Sequence, residues 1–90
     1  MVKYTVLLES QPEKYYRRVP PKIAKALEVC FIYLEKSPTQ HFSRIKRLKG
    51  YENLYRYRVG DLRVVYEIHE IKKEVAVVAI LPRGDVYKNL

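Results

Sequence analysis

The sequence has few of the residues on which covalent frameworks, metal sites and phosphate loops depend. Its single cysteine cannot form an internal disulfide, and Cys30, His41 and His69 lack the spacing of metal ligands. With 3 glycines the chain has no glycine-rich phosphate loop. No segment approaches the run of about 18 apolar residues that a membrane span requires. We therefore expect a protein without cofactor or metal that does not enter a membrane.

The length and the apolar content indicate one small domain. Of 90 residues 48% are hydrophobic, which is enough for a core of moderate size. The segment after Met1 begins directly with a strand pattern and lacks the layout of a signal peptide. Cys30 lies in the apolar stripe of a predicted helix and is expected to be a small core residue. These features predict a single disulfide-free domain over residues 1–90, located in the cytoplasm.

Positive charge is concentrated in the middle of the chain. The formal net charge is +8, and residues 41–66 hold seven Lys or Arg against two Asp or Glu. Evenly scattered basic residues would indicate only solubility. A basic cluster interleaved with aromatic residues instead predicts contact with a nucleic acid. The aromatic residues of this segment include Tyr51, Tyr55, Tyr57 and Tyr66.

The hydrophobic periodicity changes along the chain from strand to helix and back, which predicts an α+β domain. Thr39–Gly50 is read as a basic connector between the helices and the later strands. The predicted elements are a strand over Lys3–Glu9, a helix from Gln11 to about Arg18 with Ser10 and Glu13 as a capping box, a helix over Lys22–Lys36, and strands over Leu54–Val59, Leu62–His69 and Glu74–Leu81.

The segment Leu54–Ile68 is the most informative part of the sequence. Glycine at the first position of the pair Gly60-Asp61 suits the type II′ turn of a β-hairpin. In that register Arg58 lies opposite Arg63, although like charges directly opposite each other destabilise a hairpin. An anionic ligand on that face would explain the pair. Side-chain alternation places three arginines on this face: Arg56, Arg58 and Arg63.

With these elements and motifs the chain resembles the RelE/ParE superfamily of toxins from toxin–antitoxin systems. The resemblance covers nearly the whole chain and implies an N-terminal strand, a helical hairpin and three antiparallel strands in one sheet, as in microbial ribonucleases. RelE-type members cut mRNA in the ribosomal A site without a metal, whereas ParE-type members poison DNA gyrase. The motifs that carry the resemblance are Arg47-Leu-Lys-Gly50, Leu54-Tyr-Arg-Tyr-Arg58, Gly60, Leu62-Arg-Val-Val-Tyr66, Arg83 and Tyr87.

The resemblance also implies roles for individual residues. Arg63 matches the arginine that stabilises the scissile phosphate, and Arg56 and Arg58 match two basic residues of the preceding strand. Arg83 matches a basic position near the C-terminus, and Tyr87 matches a tyrosine that stacks on the target nucleotide. A more general grip on the backbone of mRNA or ribosomal RNA is expected from Lys46, Arg47 and Lys49.

The chain departs from the RelE pattern at the general base. RelE-type enzymes often carry lysines on the preceding strand, where this sequence has Arg56 and Arg58. A pKa above about 12 excludes arginine as a base near neutral pH. Glu67, His69 and His41 are candidates, but each is more simply explained as a solvated edge or loop residue. Three alternatives stay open: the base is another group, activation of the 2′-OH is left to the ribosome, or the activity is weak or absent.

These inferences lead to one main hypothesis and two alternatives. The main hypothesis is a ribosome-dependent mRNA endonuclease that is neutralised by a RelB-like antitoxin, an acidic or amphipathic partner. The first alternative is a ParE-like toxin directed at gyrase. The second is a protein of the same fold that binds RNA or the ribosome without catalysis. The main hypothesis requires the guanidinium groups of adjacent strands to converge in solvent, free of carboxylates of the same chain.

Overall fold

The computed structural model describes residues 3–41 and 43–84, which form a five-stranded sheet with two helices packed on one face. The α+β class and the order of the predicted elements are confirmed. The elements are β1 (Thr5–Leu8), α1 (Ser10–Arg18), α2 (Pro21–Lys36), β2 (Ile45–Arg47), β3 (Leu54–Val59), β4 (Leu62–His69) and β5 (Glu74–Pro82).

The strand order in the sheet is β1-β5-β4-β3-β2. The strands β2, β3, β4 and β5 pair with their neighbours in antiparallel fashion, whereas β1 pairs with β5 in parallel. The apolar strand β5 therefore lies inside the sheet, as its composition predicts. A β-bulge between Val65 and Tyr66 shifts the register of β4 against β5.

The predicted capping box at the start of α1 is wrong. The N-cap is Glu9, which makes no side-chain capping bond, and the helix begins at Ser10. The N–H of Glu9 donates to the carbonyl of Val77 at 2.9 Å, which holds this single residue between β1 and α1 against β5. The side chain of Gln11 exchanges two hydrogen bonds with the backbone of Ile80, at 2.8 and 3.0 Å. This amide pair fixes α1 to β5.

The predicted basic connector is also wrong in part, because it contains the strand β2. Ile45 is buried and its Cα lies opposite that of Tyr57, which extends the sheet beyond β3. Two residues of the connector have side chains that close apolar clusters, Ile45 on the helical face and Leu48 on the opposite face. The charged residues around them obscured this short strand in the sequence.

The main core lies between the helices and the sheet. Leu27, Cys30 and Leu34 of α2 are fully buried there, so the prediction for Cys30 is confirmed. Tyr66 is buried in the same core, and its hydroxyl donates to the carbonyl of Pro38 at 2.6 Å. Within the described residues, neither helix has the length and the apolar character that crossing a bilayer demands.

Candidate phosphate-binding face

The hairpin of β3 and β4 has the predicted register. Arg58 lies opposite Arg63 and Val59 opposite Leu62. Gly60 has a φ of +55°, and Asp61 is not among the residues with positive φ, which is the pattern of a type II′ turn. This turn matches the twist of the flanking strands and thereby fixes which side chains share a face.

The side of the sheet that is turned away from the helices is called the arginine face and carries Arg56, Arg58 and Arg63. Their neighbours along the strands, Tyr57 and Val64 among them, are buried in the helical core, so alternation sends the arginines to the other side. Arg58 is exposed, whereas Arg56 and Arg63 are half-buried. The sequence prediction of a shared face is confirmed.

The guanidinium group of Arg63 is held by the hairpin turn. Its Nη1 donates to the carbonyl oxygens of Gly60 and Leu62, at 2.9 Å each. These two bonds occupy one nitrogen of the guanidinium fork. The remaining N–H groups are available to an anion, since a guanidinium carries five donors. The backbone therefore orients Arg63 without neutralising its charge.

Arg58 is held by a different segment. Its Nη2 donates to the carbonyl of Ser43 at 3.3 Å, and its backbone N–H donates to the carbonyl of Arg44 at 2.9 Å. Nη1 of Arg44 in turn donates to the carbonyl of Arg58 at 3.2 Å. These three bonds fix Arg58 to the segment that leads into β2. Arg44 is the supporting residue that sequence reasoning missed, because nothing in the sequence distinguishes it from the other connector residues.

The charges around Arg63 show that the basic residues converge. The pKa of Arg63 is lowered, first by desolvation and then by the like charges of Arg56, Arg58 and Arg83, while Asp61 opposes the shift. Arg83 follows β5, and its backbone N–H donates to the carbonyl of Asp61 at 2.7 Å, which fixes it beside the turn. Arg83 therefore belongs to the same positive region as Arg63.

No internal carboxylate neutralises this region in the part of the chain that the structure describes. The ion pairs there involve Lys3, Arg17, His69 and Lys73, and none of them includes Arg56, Arg58, Arg63 or Arg83 within 4.0 Å of a carboxylate. Uncompensated like charges cost stability in the free protein. Binding of an anion on this face would offset that cost.

The predicted RNA-binding residues of the connector divide between the two faces. Lys46 has its Cα opposite that of Arg56 and shares the arginine face, because Ile45 before it is buried in the helical core. Arg47 lies opposite Tyr55 and shares its face, the helical one. Lys49 is exposed in the turn after β2. The structure thus brings Lys46, but not Arg47, to the arginine cluster.

A small apolar cluster borders the arginines on the same face. Leu48 and Val65 are buried at its centre, at 1% and 0% exposure. Apolar surroundings strengthen the interaction of a nearby cation with a phosphate, because they lower the local dielectric constant. The partly buried residues around this centre are Leu54, Val78, Ala79 and Leu81.

The residues that were considered as general bases lie elsewhere. The side chains of Glu67 and His69 contact each other, with 2.8 Å between Oε1 and Nε2. Glu67 is four residues along β4 from Arg63, about 13 Å at the rise of a strand. His41 lies on the helical side, where its ring contacts the rings of Tyr33 and Tyr57. None of the three is placed beside Arg63.

Two further sequence predictions concern Tyr87 and metals. Tyr87, the predicted stacking residue, lies outside the described residues. Within residues 3–41 and 43–84, no group of three or more His, Cys, Asp or Glu side chains could hold a metal ion.

Comparisons with known proteins find similarity over nearly the whole chain. A family model described as the ParE toxin of type II toxin–antitoxin systems, parDE, matches residues 2–87. The protein RelE1 of Methanocaldococcus jannaschii is 30% identical over 90 residues, which are 98% of this chain and 99% of that protein.

Solved structures are also similar to this chain over most of its length. The crystal structure of the archaeal RelE–RelB complex from Pyrococcus horikoshii OT3 contains a chain that superimposes with a TM-score of 0.80 at 28% identity, over 93% of this chain and 98% of that chain. The toxin–antitoxin complex RelBE2 from Mycobacterium tuberculosis gives a TM-score of 0.74 at 26% identity, over 94% of this chain and 97% of that chain.

Proposed function

The chain belongs to the RelE/ParE superfamily of toxins of type II toxin–antitoxin systems, and from that premise we propose that it is an endonuclease that cleaves mRNA on the ribosome. The observation that carries the proposal is the position of Arg63 among the like charges of Arg56, Arg58 and Arg83, with no carboxylate paired to any of them in the described residues. Such a cluster suits a phosphate whose negative charge increases during the reaction.

The proposed reaction is the attack of a ribose 2′-OH on the adjacent phosphorus. It passes through a phosphorane that carries more negative charge than the substrate, so cations fixed around it stabilise the transition state more than the ground state. Arginine suits this task because its planar fork binds two phosphate oxygens and its charge persists at neutral pH. In this proposal guanidinium groups supply the stabilisation for which other nucleases use a metal ion.

Each residue of the cluster has a proposed role. Arg63 is the main group that stabilises the transition state, and Arg56 and Arg58 bind the phosphate from the neighbouring strand. Arg83 contacts the leaving group from the other side of the hairpin turn. Tyr87 is proposed to stack on a base of the target nucleotide, a contact of about 1–3 kcal/mol. Lys46 and Lys49 extend the positive surface toward the RNA backbone.

The partner and the site of action follow from the same premise. Similar chains occur in complexes with RelB, so we expect a RelB-like antitoxin to neutralise this protein. A net charge of +8 favours an acidic partner by electrostatic complementarity. The expected substrate is mRNA on the ribosome, ribosomal RNA is expected as a binding partner, and we expect the activity in the cytoplasm.

Cleavage in a translating extract tests the proposal. The full chain should cut a reporter mRNA only when ribosomes translate it, leaving a 2′,3′-cyclic phosphate, and Arg63→Ala should abolish the cut. Arg17→Ala is the matched control, because Arg17 pairs with Glu13 on the surface of α1. Binding of RNA without any cyclic-phosphate product would instead support a non-catalytic RNA-binding protein.

A second candidate function rests on the family model that matches residues 2–87, whose description is that of a ParE toxin. A ParE-like protein would inhibit DNA gyrase rather than cut mRNA. Supercoiling by gyrase, measured with the same protein preparation, separates the two candidates. Inhibition of gyrase together with intact mRNA would replace the proposed function by this one.

A further inference from the structure

The short strand β2 adds one amine to the arginine face. Lys46 lies directly opposite Arg56, at a separation of about 5 Å between Cβ atoms, and diagonally from Arg58, at about 7–8 Å. The spacing of strands and residues puts its Cα about 12 Å from that of Arg63. Lysine and arginine side chains are both long, so a single ribose–phosphate unit can lie between these two residues.

The charged side chains nearest to Lys46 in the pairing of β2 with β3 are cations. Arg56 lies directly opposite it on β3, and Arg58 lies on the diagonal. No carboxylate of the described residues lies within 4.0 Å of Lys46. Its side chain is exposed, as a group that contacts a bound polyanion must be.

The chemistry of the cluster leaves one task unassigned. Attack by a 2′-OH requires a group that removes its proton, and a guanidinium cannot accept one. Lysine can exist as a neutral amine and can therefore do so. Along β4 the nearest carboxylate on this face is Glu67, which is already paired with His69 at 2.8 Å and carries a charge that repels phosphate. Lys46 is the better placed of the two.

We infer that Lys46 is a catalytic residue that takes the proton from the attacking 2′-OH, an inference that rests on the proposed ribonuclease function. The neutral amine accepts the proton while the O2′–P bond forms. The P–O5′ bond breaks with its electron pair on O5′, which takes a proton from water. The hydroxide that remains is neutralised when the ammonium group of Lys46 returns its proton. The products are a 2′,3′-cyclic phosphate and a 5′-hydroxyl.

Replacement of the amine by a guanidinium gives the sharpest test. Lys46→Arg keeps the charge and the length of the side chain but removes the proton acceptor. Single-turnover cleavage on programmed ribosomes should fall by about 10²-fold or more, since a general base contributes about 10²–10⁴-fold. RNA affinity should stay unchanged. Lys25→Arg on the exposed surface of α2 is the matched control, and Glu67→Gln tests the rival base.

A chemically modified variant tests the role of the amine itself. Lys46→Cys can be treated with bromoethylamine, which restores a lysine-like side chain whose sulfur makes the amine less basic. The only native cysteine, Cys30, is fully buried and should not react. The treated variant should regain activity, and its pH–rate profile should lie at lower pH than that of the wild type.

The outcomes separate the inference from the proposed function. If Lys46→Arg cleaves at the wild-type rate with the wild-type pH profile, Lys46 acts through its charge alone and the inference is overturned, while the endonuclease stands. If Glu67→Gln is inactive and Lys46→Arg is active, Glu67 is the base. If the wild type makes no cyclic-phosphate product, the proposed function fails and this role fails with it.

Discussion

Arg58 and Arg63 lie directly opposite each other across the β3–β4 hairpin, and backbone carbonyls of two different segments hold them. Arg63 donates to the hairpin turn, whereas Arg58 donates to Ser43 at the edge of the sheet. The two guanidinium groups thus have separate anchors. Their charges still act on one another, because Arg58 contributes to the lowered pKa of Arg63.

The first prediction concerns Arg63 itself. Arg63→Ala should reduce cleavage by at least about 10²–10³-fold, the range for loss of one donor to a developing oxyanion. Arg63→Lys should recover part of that loss, because it restores the charge but not the planar fork. Single-turnover rates measure both effects. If Arg63→Ala unfolds at the wild-type temperature and still cleaves at the wild-type rate, the proposed role is excluded.

The second prediction concerns the support of Arg58 by Arg44. Because Arg44 donates to the carbonyl of Arg58, removal of either side chain should disturb the same phosphate contact. The effects of Arg44→Ala and Arg58→Ala on cleavage should not add, and a double-mutant cycle should give a coupling energy of about 0.5–3 kcal/mol. Strictly additive effects would mean that Arg44 does not position Arg58.

The third prediction concerns salt. Affinity for a non-cleavable single-stranded RNA should fall linearly with the logarithm of salt concentration, because bound cations release counterions. Arg56→Ala and Arg58→Ala should each lower the magnitude of that slope by about 0.7. Fluorescence anisotropy at several salt concentrations measures it. An unchanged slope in both variants would show that these residues do not contact phosphate.

The fourth prediction concerns the core beneath the site. Burial raises the pKa of Tyr66 far above its ordinary value of 10.0. Above pH 10 the unfolded chain therefore releases a proton that the folded protein retains, and stability falls as pH rises. Tyr66→Phe should be about 1–3 kcal/mol less stable at neutral pH, since the Pro38 carbonyl loses its donor.

Urea unfolding at neutral and alkaline pH checks this prediction. The loss of stability above pH 10 should be smaller in Tyr66→Phe than in the wild type, and Tyr15→Phe in α1 provides the control. Equal alkaline slopes in the wild type and in Tyr66→Phe would contradict the assigned role of the buried hydroxyl.

The fifth prediction concerns the hairpin turn. Gly60 has a φ of +55°, and an added Cβ would meet no heavy atom within 4 Å, so strain in the backbone is the main cost of a side chain there. Gly60→Ala should lose about 1–2 kcal/mol of stability. Thermal unfolding of the two proteins measures the loss. An unchanged melting temperature would mean that the turn does not need the left-handed conformation.

The sequence predicts the hairpin well because several local signals agree there. Gly60 fixes the turn, and the alternation of apolar and basic residues fixes the faces, so the position of Arg56, Arg58 and Arg63 follows directly. The strands β3 and β4 begin and end where the pattern predicts.

Other parts of the structure depend on contacts that local pattern does not encode. The strand β2 has only three residues, and two of them are charged. Ile45 and Leu48, two apolar residues in a basic segment, are the signals that could have revealed it. The parallel pairing of β1 with β5 and the β-bulge at Val65 arise from long-range packing. Lys46 was therefore placed on the arginine face by the structure alone.

The central claim is that the arginine face holds the scissile phosphate, and a structure of the protein on a ribosome tests it most directly. An mRNA with a 2′-O-methyl group at the target ribose cannot be cleaved and traps the complex for cryo-electron microscopy. We predict phosphate oxygens within about 3 Å of the Arg63 guanidinium nitrogens, with Arg56, Arg58 and Lys46 around the same nucleotide. An mRNA that contacts the helical side instead, with no phosphate at Arg63, would contradict the account.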